Sequence, residues 1–227
     1  MTPLARAATV VAARGFAVRG AFRPAPADAV PPLPDGTPVG TLMLLGMVGR
    51  GQWPAFAASP EAADHRADPL DRWSRRVIGA LATELGACPL FPFEGPPWLP
   101  FQGWAMKAEP VHRSALGMLI HPQWGLWHSY RGALAFAGSW ALPAQARAGN
   151  PCDRCRAKPC LTACPVGAFS AERYDVDSCA GHLRGADGSD CLERGCRARR
   201  ACPVGEVHQY GTAQAAFYMR AFRASRG

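Results

Sequence analysis

The sequence predicts an α+β protein in two parts, a mixed helix-and-strand domain over residues 1–149 and a cysteine-rich domain over 150–227. Three observations lead there. Between Pro38 and Phe93 an apolar run, a well-marked helix and a second short apolar piece follow one another, and a strand–helix–strand unit of this kind belongs to α/β or α+β cores. A small polar linker, Pro143 to Asn150, is followed by an abrupt change of composition. Eight of the nine cysteines then fall between Cys152 and Cys202.

The elements are justified in order. Met1 to Arg23 reads as a helix-like segment, closed off by the proline-rich stretch Pro24 to Pro38. It has arginines and no acids, but lacks the serine enrichment of a transit peptide and the compact apolar core and cleavage site of a signal peptide, so it is expected to be part of the fold. Pro38 to Val48 is continuously apolar and of strand length, which suits a strand buried on both faces. Asp68-Pro69-Leu70-Asp71 is a helix start, with an acid at the N-cap and proline in the first turn. Leu70, Trp73, Val77, Leu81 and Leu85 recur at helical spacing before Gly86 ends the helix. Cys88 to Phe93 is the next expected strand, with Cys88 a small buried apolar residue. Residues 94–110 read as a loop rich in proline and aromatics. Leu116 to His121 and Leu126 to Phe136 are expected to form a hairpin about Pro122-Gln123-Trp124-Gly125. Gln209 to Arg223 reads as a closing amphipathic helix.

Composition narrows the function classes. Apolar residues make up 48% and charged residues 19%, a globular balance and not a disordered one. No apolar run approaches the roughly 20 residues a membrane span needs, and the expected location is the cytoplasm. The formal charge of +8 invites a nucleic-acid reading. However, residues 1–149 carry 13 basic and 9 acidic groups and residues 150–227 carry 12 and 8, so no part is specially basic. If the eight clustered cysteines bind metal as thiolates, about half of the formal charge is offset, which weakens the case for nucleic acid further.

The cysteine pattern points to metal. The first run is Cys152-x2-Cys155-x4-Cys160-x3-Cys164-Pro165; the second is Cys179, then Cys191-x4-Cys196-x5-Cys202-Pro203, and both end Cys-Pro-Val-Gly. Closely spaced cysteines let one loop wrap three corners of a cubane, while the cysteine before proline leaves for the other cluster. Proline fixes φ and removes an amide donor, so the chain turns away without an unpaired N–H. Crossing over predicts one [4Fe–4S] cluster on Cys152, Cys155, Cys160 and Cys202, and a second on Cys164, Cys179, Cys191 and Cys196. Two four-cysteine zinc sites are the alternative, but four cysteines within thirteen residues followed by proline suit zinc knuckles poorly. Arginines about Cys196 (Arg194, Arg197, Arg199, Arg200) would offset cluster charge, or else form a solvated basic surface.

This region resembles the two-cluster bacterial ferredoxins, from which it departs in the x4 spacing before Cys160 and the x4 and x5 spacings of the second run. The lone Cys179 well ahead of Cys191 is similar to the iron–sulphur domain of epoxyqueuosine reductases and reductive dehalogenases, where a separated cysteine completes the second cluster. The longer loops leave the pairing of cysteines with clusters open.

Ile120-His121-Pro122, Gly125, Trp127, Arg131 and Gly132 resemble a stretch of the CblC-type cobalamin-processing proteins. That resemblance implies a nitroreductase- or CblC-like α/β sandwich ahead of the ferredoxin-like domain, holding cobalamin beside the electron supply. From the residues alone, His112, His121 and His128 are equally well read as structural, and His182 as near a cluster without binding it. Trp98, Trp104, Trp124 and Trp127 fit a flat cofactor site or, more often, core. Arg131, in an apolar stretch, calls for an anionic partner.

Three functions follow as expectations. The first is an iron–sulphur electron-transfer protein serving a redox partner protein. The second is a complete corrinoid- or flavin-dependent reductase, and the third a zinc-stabilised nucleic-acid binder. No residue stands out as a catalytic acid.

Overall fold

In a computed structural model the described residues are 1–144, 148–170 and 173–226. The chain divides into two compact units, Met1–Pro110 with His128–Arg147, and Val111–Trp127 with Ala148–Gly227. The linker expected over 143–150 lies in part, at 145–147, outside the described residues. Residues 111–127, grouped by sequence with the first domain, pack with the second unit.

The described strands are β1 (Ala17–Phe22), β2 (Thr41–Val48), β3 (Cys88–Leu90), β4 (His112–Arg113), β5 (Leu119–Ile120) and β6 (His128–Phe136). The first unit is built on an antiparallel sheet in the order β1-β2-β6-β3. Because β2 and β3 both run against β6, they are parallel to each other with β6 between them. The apolar run makes β2 a central strand, and Leu42 to Leu45 have no exposed surface.

Helices α1 (Pro3–Ala13), α2 (Pro69–Leu85) and α3 (Phe101–Ala108) belong to this unit, together with the short helices Trp53–Ala57 and Pro60–Ala63. The stripe Leu70, Trp73, Val77 and Leu81 is buried as its spacing requires, each large side chain contributing about 1.5–3 kcal/mol. Trp73 stacks on Phe16 at 4.4 Å and meets Phe56 edge-on at 5.7 Å. Gly86 ends α2 in the left-handed conformation. Asp68 stands at the N-cap position but makes no side-chain cap; only its carbonyl joins the helix, accepting from the Arg72 amide at 3.0 Å.

Several elements differ from the sequence reading. The N-terminal helix stops at Ala13 and is followed by strand β1, whose alternation is hidden because Arg19 occupies a buried position. The aromatic loop contains α3, seated by buried Phe101 and Trp104. The expected hairpin is a single bridge, His121 to Gly125. Its first arm, β5, pairs instead with β4, and its second, β6, joins the larger sheet. A four-residue tight turn closes the bridge but directs the arms to different sheets. Cys88 is half-buried on edge strand β3.

Among the described residues the second unit is helical apart from the β4–β5 ribbon and the isolated bridges His121–Gly125 and Phe169–Tyr174. Its helices are α4 (Pro151–Arg154), α5 (Pro159–Thr162), α6 (Val176–Arg184), α7 (Ser189–Arg194), α8 (Arg197–Arg200) and α9 (Thr212–Ala224). The closing helix begins after Gly211, three residues later than its composition suggests. Together the two units make a mixed fold, 43% helix and 15% strand. None of the described helices is long and apolar enough to cross a membrane.

Candidate functional site

Short helices separated by tight turns present the eight cysteines of the second unit. Asn150 caps α4, its Oδ1 accepting from the Cys152 amide at 3.0 Å. The Cys155 amide then donates to the Cys152 carbonyl. Lys158 takes a left-handed φ of 39°, which turns the chain so that buried Cys160 enters on α5. Cys202 arrives from the far end of the unit and is buried in the same apolar cluster as Cys160, with Cys152 packed against it. Burial raises the Cys160 thiol, and the sulphurs of Cys202, Cys152 and Cys155 push it the same way. Burial likewise raises Cys202, with Cys152 and Cys155 adding to it against a backbone donor at Val204. Cys152, Cys160 and Cys202 thus share one apolar cluster, against which Cys164 and Cys196 also pack, and Cys155 lines a groove with Cys152.

Cys164, Cys179, Cys191 and Cys196 line one cavity with Phe169 and His182. Cys164 Sγ accepts from the Ala168 amide at 3.3 Å. Cys179 projects from α6, which Asp175 caps through the Ser178 amide. Its thiol is raised by burial, opposed by a hydrogen bond from Tyr174 and reinforced by Cys164 and Cys191. Cys196 precedes α8, and burial raises its thiol while the Arg199 and Ala198 amides, donating to the sulphur, pull it down. Amide donors at cluster sulphurs are a usual means of stabilising their negative charge. His182 Nε2 is buried in this unit without a hydrogen-bond partner.

Eight soft sulphur ligands are a donor type that binds iron–sulphur clusters or zinc. Among the described residues, no three His, Cys, Asp or Glu side chains stand close enough to share one metal ion. A zinc ion would need four sulphurs each about 2.3 Å from one point. Were a cluster held in the cavity, Cys164, Cys179, Cys191 and Cys196 would ligate it and His182 would be the nearby N–H donor.

The other candidate residues have structural explanations. Arg194, Arg197 and Arg200 all pair with Asp190. Arg199 lies between the Trp127 and Tyr210 rings, 4.7 and 4.5 Å from their centroids, and donates to the Leu126 carbonyl. His121 Nδ1 accepts the Gln123 and Trp124 amides and its ring stacks on Trp124 at 4.0 Å, so it staples the turn. His112 Nε2 contacts the Ala148 carbonyl at 2.7 Å, and His128 is buried on β6. Trp104 Nε1 donates to the Asp28 carbonyl, whereas Trp98 is exposed. Arg131 finds its anion in Asp71, with Ser74 Oγ at 3.1 Å.

Sequence reasoning missed a buried polar group in the first unit. Arg19, fully buried, bonds Glu109 through Nη2 at 2.6 Å and the Met47 carbonyl at 3.3 Å. The Tyr130 hydroxyl donates to the same carboxylate. Burial pushes the Glu109 carboxyl up against the pull of Arg19 and Tyr130. The only sequence signal was an arginine at an inward strand position. Beside Glu109 a groove of about 820 Å³ is lined largely by aliphatic residues of α1 and β1.

No family model and no curated protein matches the chain. Solved structures do. The C. elegans B12-trafficking protein CblC aligns with a TM-score of 0.52 and 13% identity over 97% of this chain and 96% of its own. An epoxyqueuosine reductase solved with an epoxyqueuosine-modified tRNA-Tyr stem loop aligns with a TM-score of 0.51 and 12% identity, over 92% of this chain and 66% of its own. A selenomethionine-labelled epoxyqueuosine reductase, with a TM-score of 0.49 and 12% identity, is covered over 53% of its length by 81% of this chain. The chain thus spans about half to two thirds of the length of these reductases. At such identities the likeness is one of fold: the chain has the mixed helix-and-sheet fold found in CblC and epoxyqueuosine reductase.

Proposed function

We propose that this chain is an iron–sulphur electron-transfer protein. On this reading Cys152, Cys155, Cys160 and Cys202 hold one [4Fe–4S] cluster, and Cys164, Cys179, Cys191 and Cys196 hold another. The observation that supports it is that eight thiols from a 51-residue stretch lie in one compact unit, with Cys164, Cys179, Cys191 and Cys196 lining one cavity and Cys152, Cys160 and Cys202 sharing an apolar cluster. When bound, clusters of this type accept and release single electrons. The chain's own contribution is to hold the thiolates, keep water from Cys160, Cys191 and Cys202, and aim the Ala168, Ala198 and Arg199 amides at sulphur. The expected recipient is a redox partner protein, or a cofactor or substrate held by residues 1–149.

The fold likeness to a B12-trafficking protein over nearly the whole chain supports a second reading, a corrinoid- or flavin-dependent reductase. The groove beside Glu109 has a volume in the range of cofactor sites. Nucleic acid returns as a possible ligand, because one epoxyqueuosine reductase of this fold was solved with a tRNA stem loop.

Two cysteine variants test the assignment. Cys160→Ala and Cys191→Ala should each lose about half of the iron and sulphide, as one of two equal clusters is removed. The two variants should retain different paramagnetic signals on reduction. Identical residual spectra, or full iron in either variant, would contradict the pairing. Addition of cobalamin or flavin, followed by its visible spectrum, tests the second reading.

A further inference from the structure

The second thiol set has an aromatic connection to the surface. Tyr174 and Val166 are among the few large apolar side chains left exposed among the described residues, at 37% and 42%. Val166 lines the cavity of Cys164, Cys179, Cys191 and Cys196. Tyr174 lies beside Cys179, which the neighbouring thiols Cys164 and Cys191 also influence. Its ring stacks on Phe169, centroids 4.5 Å apart and planes within 8°, and faces Phe222 at 6.4 Å. Phe169 lines the cavity too. An exposed tyrosine stacked on a ring that lines the thiol cavity, and facing a second ring, is an unusual use of aromatic surface, since buried rings normally serve the core.

The edge of this patch is basic. Arg226 lies over the Phe222 ring at 5.8 Å, and its carbonyl accepts from Arg184 Nη1 at 3.0 Å. Arg173, 78% exposed, precedes Tyr174 and has only a 3.9 Å contact with Asp175. The surface beside the first thiol set is different. Its open groove carries Arg113, Arg156 and Lys158 but also Asp153, and contains no aromatic side chain.

We propose that the Phe169–Tyr174–Phe222 stack, rimmed by Arg173, Arg184 and Arg226, is the docking face for a small acidic one-electron carrier protein. The inference rests on the iron–sulphur reading and adds which site exchanges electrons with the partner, and by which chemistry the partner is recognised. One electron leaves the reduced carrier, which is thereby oxidised by one, and is taken up at the site of Cys164, Cys179, Cys191 and Cys196; no bond is made and no proton need move. An apolar centre with a charged rim suits a transient redox encounter, which buries little area and relies on complementary charge for speed.

The test is stopped-flow reduction of the anaerobic holoprotein by an acidic flavodoxin, used as probe. R184E/R226E should slow the reaction at least tenfold at low salt, with the difference collapsing as salt screens the charges. Reduction of the same variant by dithionite should be unchanged, and R156E/K158E, at the first site, should react with flavodoxin at nearly the parent rate. The unmodified protein gives a second arm: its reduction by acidic flavodoxin should slow with salt, whereas oxidation of the dithionite-reduced protein by a basic ferricytochrome c, which takes the electron, should not. Equal flavodoxin rates in R184E/R226E and the parent, or a larger loss in R156E/K158E, overturn the proposal while the iron and sulphide content stays full. Protein without iron and sulphide would instead remove the reading beneath it.

Discussion

Gly125 and Val204 approach so closely that a Cβ on residue 125 would stand 1.8 Å from the Val204 carbonyl oxygen. Gly205 meets the same turn from the other side, where a Cβ would lie 2.4 Å from the Trp124 carbonyl carbon. Both glycines have positive φ, 56° and 70°. The turn after His121 is thus seated directly on the Cys202-Pro203-Val204-Gly205 segment. Gly125→Ala should therefore cost the second unit more than about 2 kcal/mol, combining strain and clash. Gly117→Ala, with φ of 77° but open space around it, should cost only about 1 kcal/mol. Urea midpoints followed by tryptophan fluorescence check the difference, and equal losses would contradict it.

His182 and Cys179 share one face of α6, and Nε2 of the histidine has no protein partner. If it donates to sulphur, His182→Phe removes a hydrogen bond of about 1 kcal/mol, equivalent to about 40 mV for one electron. Redox titration by EPR should show one of two signals moving to lower potential by that order, and the other unmoved. Unchanged potentials would mean that the imidazole does not face the cluster.

Acid should weaken the first unit through Glu61. Arg76 grips this carboxylate with two bonds, 2.5 and 2.8 Å, and holds it down at about 2 against an ordinary 4.5. The unfolded chain therefore binds the proton more readily. The pair stabilises fully above the ordinary carboxylate range, and this is lost as pH falls towards 2. Thermal melts should show Glu61→Gln less stable at neutral pH by about 1–2 kcal/mol. The difference between variant and parent should shrink between about pH 5 and pH 2.5, and a difference that widens with acid would contradict this.

Glu109 stands between buried Arg19 and Tyr130. Glu109→Ala leaves the arginine charge without its carboxylate in a dry site, a loss of about 3–5 kcal/mol. Tyr130→Phe removes one hydrogen bond and should cost about 1 kcal/mol. Denaturant titrations distinguish these values; similar losses would mean that the carboxylate is not the anchor.

The parts legible in the sequence are those where local pattern and tertiary role agree. Helix α2 follows from Leu70, Trp73, Val77 and Leu81, and β2 from an unbroken apolar run, because each buries the surface its period presents. Arg131 called for an anion and has Asp71. Strand β1 was obscured by Arg19, whose partner Glu109 is 90 residues away in sequence. The same holds for β5: nothing local says that Leu119 and Ile120 pair back to His112 and Arg113. The clustering of eight cysteines after residue 150 was plain in the sequence, while their division into two sets of four rests on the Cys-Pro endings as a proposal. The Phe169–Tyr174 stack and the Asp190 hub beneath Arg194, Arg197 and Arg200 belong to packing and left no periodic signal.

The most direct test is the iron and acid-labile sulphide content of anaerobically purified protein. Two cubanes predict about eight of each per chain. Zinc in place of iron, with no sulphide, would contradict the electron-transfer account.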